Sequence, residues 1–356
     1  MTRLIAALAT LFFLCACGCI NLGIVPANTA FHNTVSALRF VENGPPPEPI
    51  EFELTGPYVC GNLTIYLVHR QDSAVSQDYL TLAEGMSNGQ VVVDETRSVN
   101  RLSIRNRSAE DLFVQAGEIA KGGQQDRTLA DDLIVANGDS VPVRSFCVEH
   151  GRWTARDNES GTRFASSQNA LVSQQLKLAA QLDNDQGGVW NSVALLQERL
   201  ARTLHASPTN SQSPTSLQLT LENPAVQSWA AEYVQSLGAI SDTRADVVGY
   251  ACLINGQLAS ADLYATHALF RKLWPKLLMC TAIDAIARIQ EPPNARPTGL
   301  EQVQSLMLFR KVRRNARLQA NDRTTALAFD TDNAILFETR DELWPRQWVH
   351  RCYLLK

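Results

Sequence analysis

The hydrophobic repeat of this chain changes period near residue 165, and that switch limits its folds more than any single motif. From about residue 50 to 153 the apolar residues come in short strand-like runs at 63–68, 91–93, 102–104, 112–114, 133–135 and 141–148. Gly, Asn and Asp turns separate these runs, the pattern of half-buried strands. Beyond 165, Leu171, Leu176, Leu178 and Leu182 fall at broadly helical spacing over 165–182, with Ser166 or Ser167 as cap, and 189–204 repeats the style. Asn223-Pro224 places a capping side chain before a proline at the first helical position, opening a helix that runs to about Leu237. Asn255-Gly256 is a tight hairpin turn between strands at 247–254 and 257–263, and a helix follows over 265–289 with Pro275 inside it. From Ala316 the pattern returns to strands, with Asp332-Asn333 as a turn. Strands and helices that come in blocks, without βαβ alternation, predict an α+β fold. Its N-terminal half (50–153) is a mainly antiparallel sandwich or barrel. A helical middle (165–238) follows, then an α/β part (247–356) of strand, hairpin, helix and strands, all within one domain spanning 50–356.

Hydrophobic residues make up 45% of the 356, ample for such a core. With 32 basic against 36 acidic residues there is no cationic field to draw in nucleic acid, which is not an expected partner. Arg3 is the only charge before Arg39, and the apolar run 4–14 is too short to cross a bilayer, so residues 1–16 read as a signal peptide. Leu14-Cys15-Ala16-Cys17 looks like a bacterial lipobox, which makes Cys17 the expected lipidation site; Ala16-Cys17-Gly18-Cys19 is an alternative frame, and a cysteine-rich ordinary secretory signal is the plainer reading. The expected location is the bacterial cell envelope, outside the cytoplasm, with the membrane as partner through a lipid anchor. Residues 17–49, ending in Gly44-Pro45-Pro46-Pro47-Glu48-Pro49, then form a stiff tether. Of the eight cysteines, Cys252 and Cys280 sit among apolar neighbours as buried free thiols.

Three segments invite chemistry. Gly85-Met86-Ser87-Asn88-Gly89 matches a serine-nucleophile pattern, but that elbow needs a strand before it and a helix after, and here a strand follows; a hairpin-type turn explains it better. The segment from Gly117-Glu118 through Lys121-Gly122-Gly123, Gln125, Asp126 and Arg127 only superficially resembles a phosphate loop, because its lysine precedes the glycine pair. What remains is a dense set of carboxylates, amides and a guanidinium around glycines that would let a ligand approach the backbone or simply permit a turn. The third, Cys147-Val148-Glu149-His150-Gly151-Arg152-Trp153, brings an acid, a base and an aromatic wall to a strand end. The six histidines are scattered, so no metal site and no cofactor are expected.

At these clusters the chain resembles the ADP-ribosylglycohydrolase, rhodanese and phosphatase superfamily associated protein domain family. The resemblance continues through Gln186, Trp190-Asn191-Ser192-Val193, Asp262-Leu263-Tyr264 and Leu273-Trp274-Pro275-Lys276-Leu277-Leu278, and spans nearly everything after residue 50. That family is named for genomic association with enzymes of ADP-ribose, sulfur and phosphate chemistry, so the resemblance brings no reaction with it. The motif residues it implies are Glu118, Gln125, Asp126, Arg127, Glu149, Arg152 and Trp153. His150 departs from the expected motif, adding a proton carrier beside Glu149, and the leader departs from cytoplasmic members.

Three functions compete. One is a binding module in which Arg127 and Arg152 grip a small anionic or sugar-like ligand while Glu118 and Glu149 take its hydroxyls. A second is a hydrolase using Glu118 or Glu149, with His150 as a further candidate, as general acid or base. The third is a structural envelope protein whose Glu118–Arg127 and Glu149–Arg152 couples are ion pairs pinning strand ends. Whether the protein is an enzyme stays open at this point.

Overall fold

The computed structural model describes residues 38–71, 77–96, 98–156, 159–167, 171–308, 311–344 and 347–356. The leader, with Cys17, lies outside them. As the block pattern predicts, the fold is α+β, with antiparallel sheets and a nearly closed barrel-like sheet in the N-terminal half. That sheet has six strands in the order Phe164–Ser166, Ile119–Gly122, Arg127–Leu129, Ser140–Cys147, Arg101–Asn106 and Val91–Glu95. A bridge between Asp94 and Arg163 joins its two ends. Leu102, Ile104, Val93 and Leu129 fill the interior with no exposure. Beside it Leu133–Val135, Leu112–Val114 and Leu80–Thr81 form a small sheet whose last pair is parallel.

The largest sheet is antiparallel throughout and has nine strands: Phe40–Glu42, Arg314–Gln319, Thr324–Asp330, Ala334–Asp341, Trp348–Leu355, Gln257–Tyr264, Val247–Ile254, Leu63–His69 and Glu53–Cys60. Its outermost strands are a three-residue segment at one side and, at the other, a strand that holds Pro57 and slips register between Thr55 and Tyr58. Strand alternation divides the core. Leu63, Ile65 and Leu67 face the helices, while Tyr66 and Val68 face the opposite side. Each of those fully buried aliphatic side chains contributes about 1.5–3 kcal/mol.

Among the described residues seven α-helices pack around the sheets: α1 (Leu82–Ser87), α2 (Gln174–Lys177), α3 (Gln186–Leu204), α4 (Leu217–Leu221), α5 (Pro224–Leu237), α6 (His267–Ala287) and α7 (Leu300–Met307). Most start on a side-chain cap that satisfies an otherwise unpaired amide: Asp185 for α3, Ser216 for α4, Asn223 for α5 and Thr266 for α6. α6 is buried on most sides between the large sheet and helices α3 and α5, which explains why its sequence lacks a clean polar face.

Three expectations change, while the glycine motif keeps the turn expected of it, inside a hairpin. Residues 164–166 pair as a strand with Ile119–Gly122, and the helix expected from 165 begins only at α2, capped by Ser173 and continued as a π turn, Leu178–Leu182. Gly85 to Gly89 is no hairpin: Thr81 and Glu84 form a capping box that makes α1, and Asn88-Gly89 turns this helix into a strand, the reverse order of a nucleophile elbow. The hairpin Ile119–Gly122 and Arg127–Leu129 runs through the glycine motif. Finally, the folded body starts inside the expected tether. Phe40–Glu42 pairs with Arg314–Gln319, Pro47 is buried, and the Glu48 carbonyl accepts from Arg351 at 2.9 Å.

Candidate functional site

The two motif segments meet, and they do so below the surface. The loop after Gly122 lays the Asp126 carboxylate where it accepts from the Gly122 amide at 2.9 Å, the Ser216 hydroxyl at 3.0 Å and the Arg156 guanidinium at 2.9 and 2.5 Å. Positive φ at Gly122 and Gly123 lets the backbone make that loop. Glu149, leaving the end of Ser140–Cys147, accepts from the Asp126 amide at 3.2 Å and from Arg152 Nε at 2.7 Å. Arg152 also donates to the carbonyls of Gly123 and Thr154, and Arg156 donates to Glu159. Asp126 and Glu149 are wholly buried. Burial pushes the Asp126 carboxyl up despite Arg156, with Glu149 adding to the rise. Burial works the same way on Glu149, but the Arg152 hydrogen bond and those from Ser213 and the Asp126 amide outweigh it and hold it below the usual range.

The expected Glu118–Arg127 couple does not form. Glu118 instead accepts from Lys276 of α6 at 2.5 Å, both groups buried, and Ser166 stands 3.3 Å from the same ammonium. Arg127 turns to its own neighbourhood: Nη1 donates to the Gln125 carbonyl at 3.0 Å and to its side-chain oxygen at 3.3 Å, and Glu95 lies 3.9 Å away. Gln125 and Arg127 are buried, whereas Trp153 stands 49% exposed and walls off nothing. Sequence reasoning missed Arg156 and Lys276. A third arginine beside Arg152 was the available sign for the first; the second lies in the family segment 273–278, but nothing in that segment points to Glu118.

A further ionic chain, also missed, crosses the large sheet. Lys177 lies 4.0 Å from Asp262; Asp262 meets His350 Nε2 at 3.1 Å; His350 Nδ1 meets Asp132 at 2.7 Å; Asp132 accepts from the Ala116 amide and Thr339. Tyr264 stacks on the His350 ring at 4.6 Å. Burial alone would strip the His350 proton, but Asp132 and Asp262 raise its pKa to about 9. Two cations and two anions therefore balance inside the core. Gly117 makes this possible: it has φ +91°, and a Cβ there would stand 2.9 Å from the Lys177 side chain.

His150 of the Glu149 motif is exposed and borders an open hollow. Its backbone is clamped on both sides by Thr215, whose hydroxyl accepts the His150 amide at 3.0 Å and donates to its carbonyl at 2.7 Å. Its ring meets Trp190 of α3 edge to face at 4.5 Å. These two rings, Asn191, Gln197 and Thr215 line a hollow of about 310 Å³. The Trp190 indole N–H is buried and has no hydrogen-bond partner among the described residues. Among the described residues, no three His, Cys, Asp or Glu side chains gather as metal ligands, and no helix is long and apolar enough to cross a membrane. Cys60, Cys147, Cys252, Cys280 and Cys352 are free, and burial pushes the thiols of the last four up, so they are poor nucleophiles.

No curated protein and no solved structure matches the chain. One family does: the pattern of the ARG and Rhodanese-Phosphatase-superfamily-associated Protein domain, ARPP-1, matches residues 51–354. That span takes in the glycine hairpin, the Glu149 turn, α3, α6 and the large sheet, and on it the chain belongs to the ARPP-1 domain family.

Proposed function

We propose that this protein is a lipid-anchored envelope protein that binds a small sugar-like or anionic ligand in the hollow beneath His150. In this reading the Asp126, Glu149, Arg152 and Arg156 network holds the rim of the site and does not itself touch the ligand. The observation that carries it is the His150–Trp190 ring pair at the mouth of an open hollow with amide and hydroxyl neighbours. An aromatic face with a few polar groups around it is how proteins hold a molecule that is apolar on one side and hydroxylated on the rest. The buried, unpartnered indole N–H of Trp190 is a donor for which a ligand oxygen would supply the acceptor.

Saturation-transfer NMR of the purified protein with a panel of monosaccharides and sugar acids tests this. Binding that disappears in Trp190→Leu and His150→Ala supports it, and binding indifferent to both places the ligand elsewhere and ends the proposal. The anchor is tested separately by metabolic labelling with a fatty acid, which Cys17→Ala should abolish; label retained in that variant, or none in the parent, removes it. A hydrolase is the second reading. It draws on the opposite shifts of two adjacent carboxylates, Asp126 upward and Glu149 downward, the arrangement an acid and base pair needs. Their complete burial weighs against it. Turnover of chromogenic glycosides, lost in Glu149→Gln with affinity intact, would favour it.

A further inference from the structure

Helix α3 separates two hollows. Trp190, Asn191 and Gln197 line the one beneath His150, whereas Ser192 and Arg199 line another of about 190 Å³. This second hollow is closed by the start of α2, the end of α6 and the edges of two neighbouring strands of the large sheet, at Gln257–Tyr264 and Trp348–Leu355. Of the motif residues singled out from the sequence only Ser192 lies in it, and the reading given above does not use it.

Its charges are unevenly matched. Arg199 Nη2 stands 3.1 Å from one oxygen of Glu291, and Arg288 Nε 2.9 Å from the other. Two guanidinium groups thus share one carboxylate, and Lys356, which also lines the hollow, is taken by Asp330, so a single positive charge is in excess there while Asp284 holds its proton. Each spends one nitrogen on Glu291, while an arginine fork carries five N–H donors. Further in lies Asp284 of α6, whose hydrogen bond is a long one, 3.4 Å from the Gln174 amide. Burial pushes its carboxyl up to about 6, against the pull of Arg288, Lys177 and Arg199. A carboxyl that gains and loses its proton near neutrality can donate to or accept from a ligand hydroxyl.

We infer that this hollow binds a small hydroxycarboxylate, with the ligand carboxylate on Arg199 and Arg288 and its hydroxyl on Asp284. Size and charge select that class. Pockets for drug-sized molecules run from about 300 Å³ upward, so a nucleotide is too large here. One excess positive charge fits a monoanion, whereas a phosphate near neutrality carries about 1.5 to 2 negative charges. The planar carboxylate also suits paired guanidinium forks.

The test is calorimetric titration of the full chain with glycolate and lactate, set against acetate, which lacks the hydroxyl, and inorganic phosphate. Glycolate or lactate should bind about tenfold more tightly than either comparator, the ratio expected for one hydrogen bond made to a charge-capable group. Asp284→Ala should erase the preference over acetate, Asp284→Asn should keep it, and Arg288→Gln should weaken glycolate and acetate alike. Should Asp284→Ala fail to fold, Arg199→Gln, at a partly exposed position, carries the same test through a uniform loss for both acids. No detectable binding of glycolate or lactate overturns the inference. So does tighter binding of phosphate, or binding unchanged in Arg199→Gln and Arg288→Gln. Unchanged binding in Trp190→Leu is expected and keeps this site distinct from the hollow beneath His150.

Discussion

Two buried ionic assemblies, one at the end of the six-stranded sheet and one in the large sheet, differ in how they are made. The one at the barrel's end joins residues close along the chain: Glu149 and Arg152 are three apart, and Asp126 and Arg156 thirty. The one in the large sheet joins His350 to Asp262 and Asp132, 88 and 218 positions away. The first fixes the shape of two loops and can open locally. The second ties together strands from distant parts of the sequence, so it cannot open without separating the sheet. Local and global stability should therefore divide along this line.

The largest effect should come from breaking the sheet assembly. Asp262→Ala leaves two buried cations, Lys177 and His350, facing the single Asp132 carboxylate, and urea unfolding should report a loss of about 3–5 kcal/mol. A loss below about 1 kcal/mol would show that the two assemblies are not different in kind. The second prediction concerns pH. The native pKa of His350, about 9, lies above its unfolded value near 6.5, so the folded state holds this proton more tightly. Its contribution is complete below pH 6.5 and declines as pH rises toward 9, by up to about 3 kcal/mol. Unfolding midpoints between pH 6 and 8.5 should fall in the parent and stay flat in His350→Gln; parallel slopes would refute the assignment. Third, Arg156→Met in the loop assembly should lose only about 1–3 kcal/mol. Hydrogen exchange should quicken at 122–126 and 149–156 while Val247–Ile254 stays protected. Exchange that quickens everywhere would mean the loops are not an independent unit. Smallest of all, Trp153→Ser should shift stability by no more than about 0.5 kcal/mol, as its exposed ring implies.

The same contrast explains what the sequence discloses. Asn223-Pro224 and Asn255-Gly256 act on their own backbone, and the helix and hairpin they announce are present. Glu149 and Arg152 were readable as a couple for that reason. Residues 164–166 were not, because pairing with Ile119–Gly122 decides their state and their own propensity does not. Glu118 and Arg127 look like partners nine positions apart, yet a lysine 158 positions from Glu118 takes its carboxylate. His350 carries no local mark at all, since Asp262 reaches it from a neighbouring strand and Asp132 from a loop 218 positions away. The hollow holding Asp284 draws its walls from helices and strands far apart in sequence, and only the fold assembles it.

The outermost strands of the large sheet have a consequence for crowded conditions. At one border a neighbouring molecule meets only three residues of extended backbone, Phe40–Glu42; at the other it meets Pro57, which has no amide hydrogen to give, beside a slipped register. Among the described residues, chains that collide side by side thus find no long uninterrupted template on which to add a strand, and the largest sheet is guarded against fibrous self-association where it would otherwise invite it.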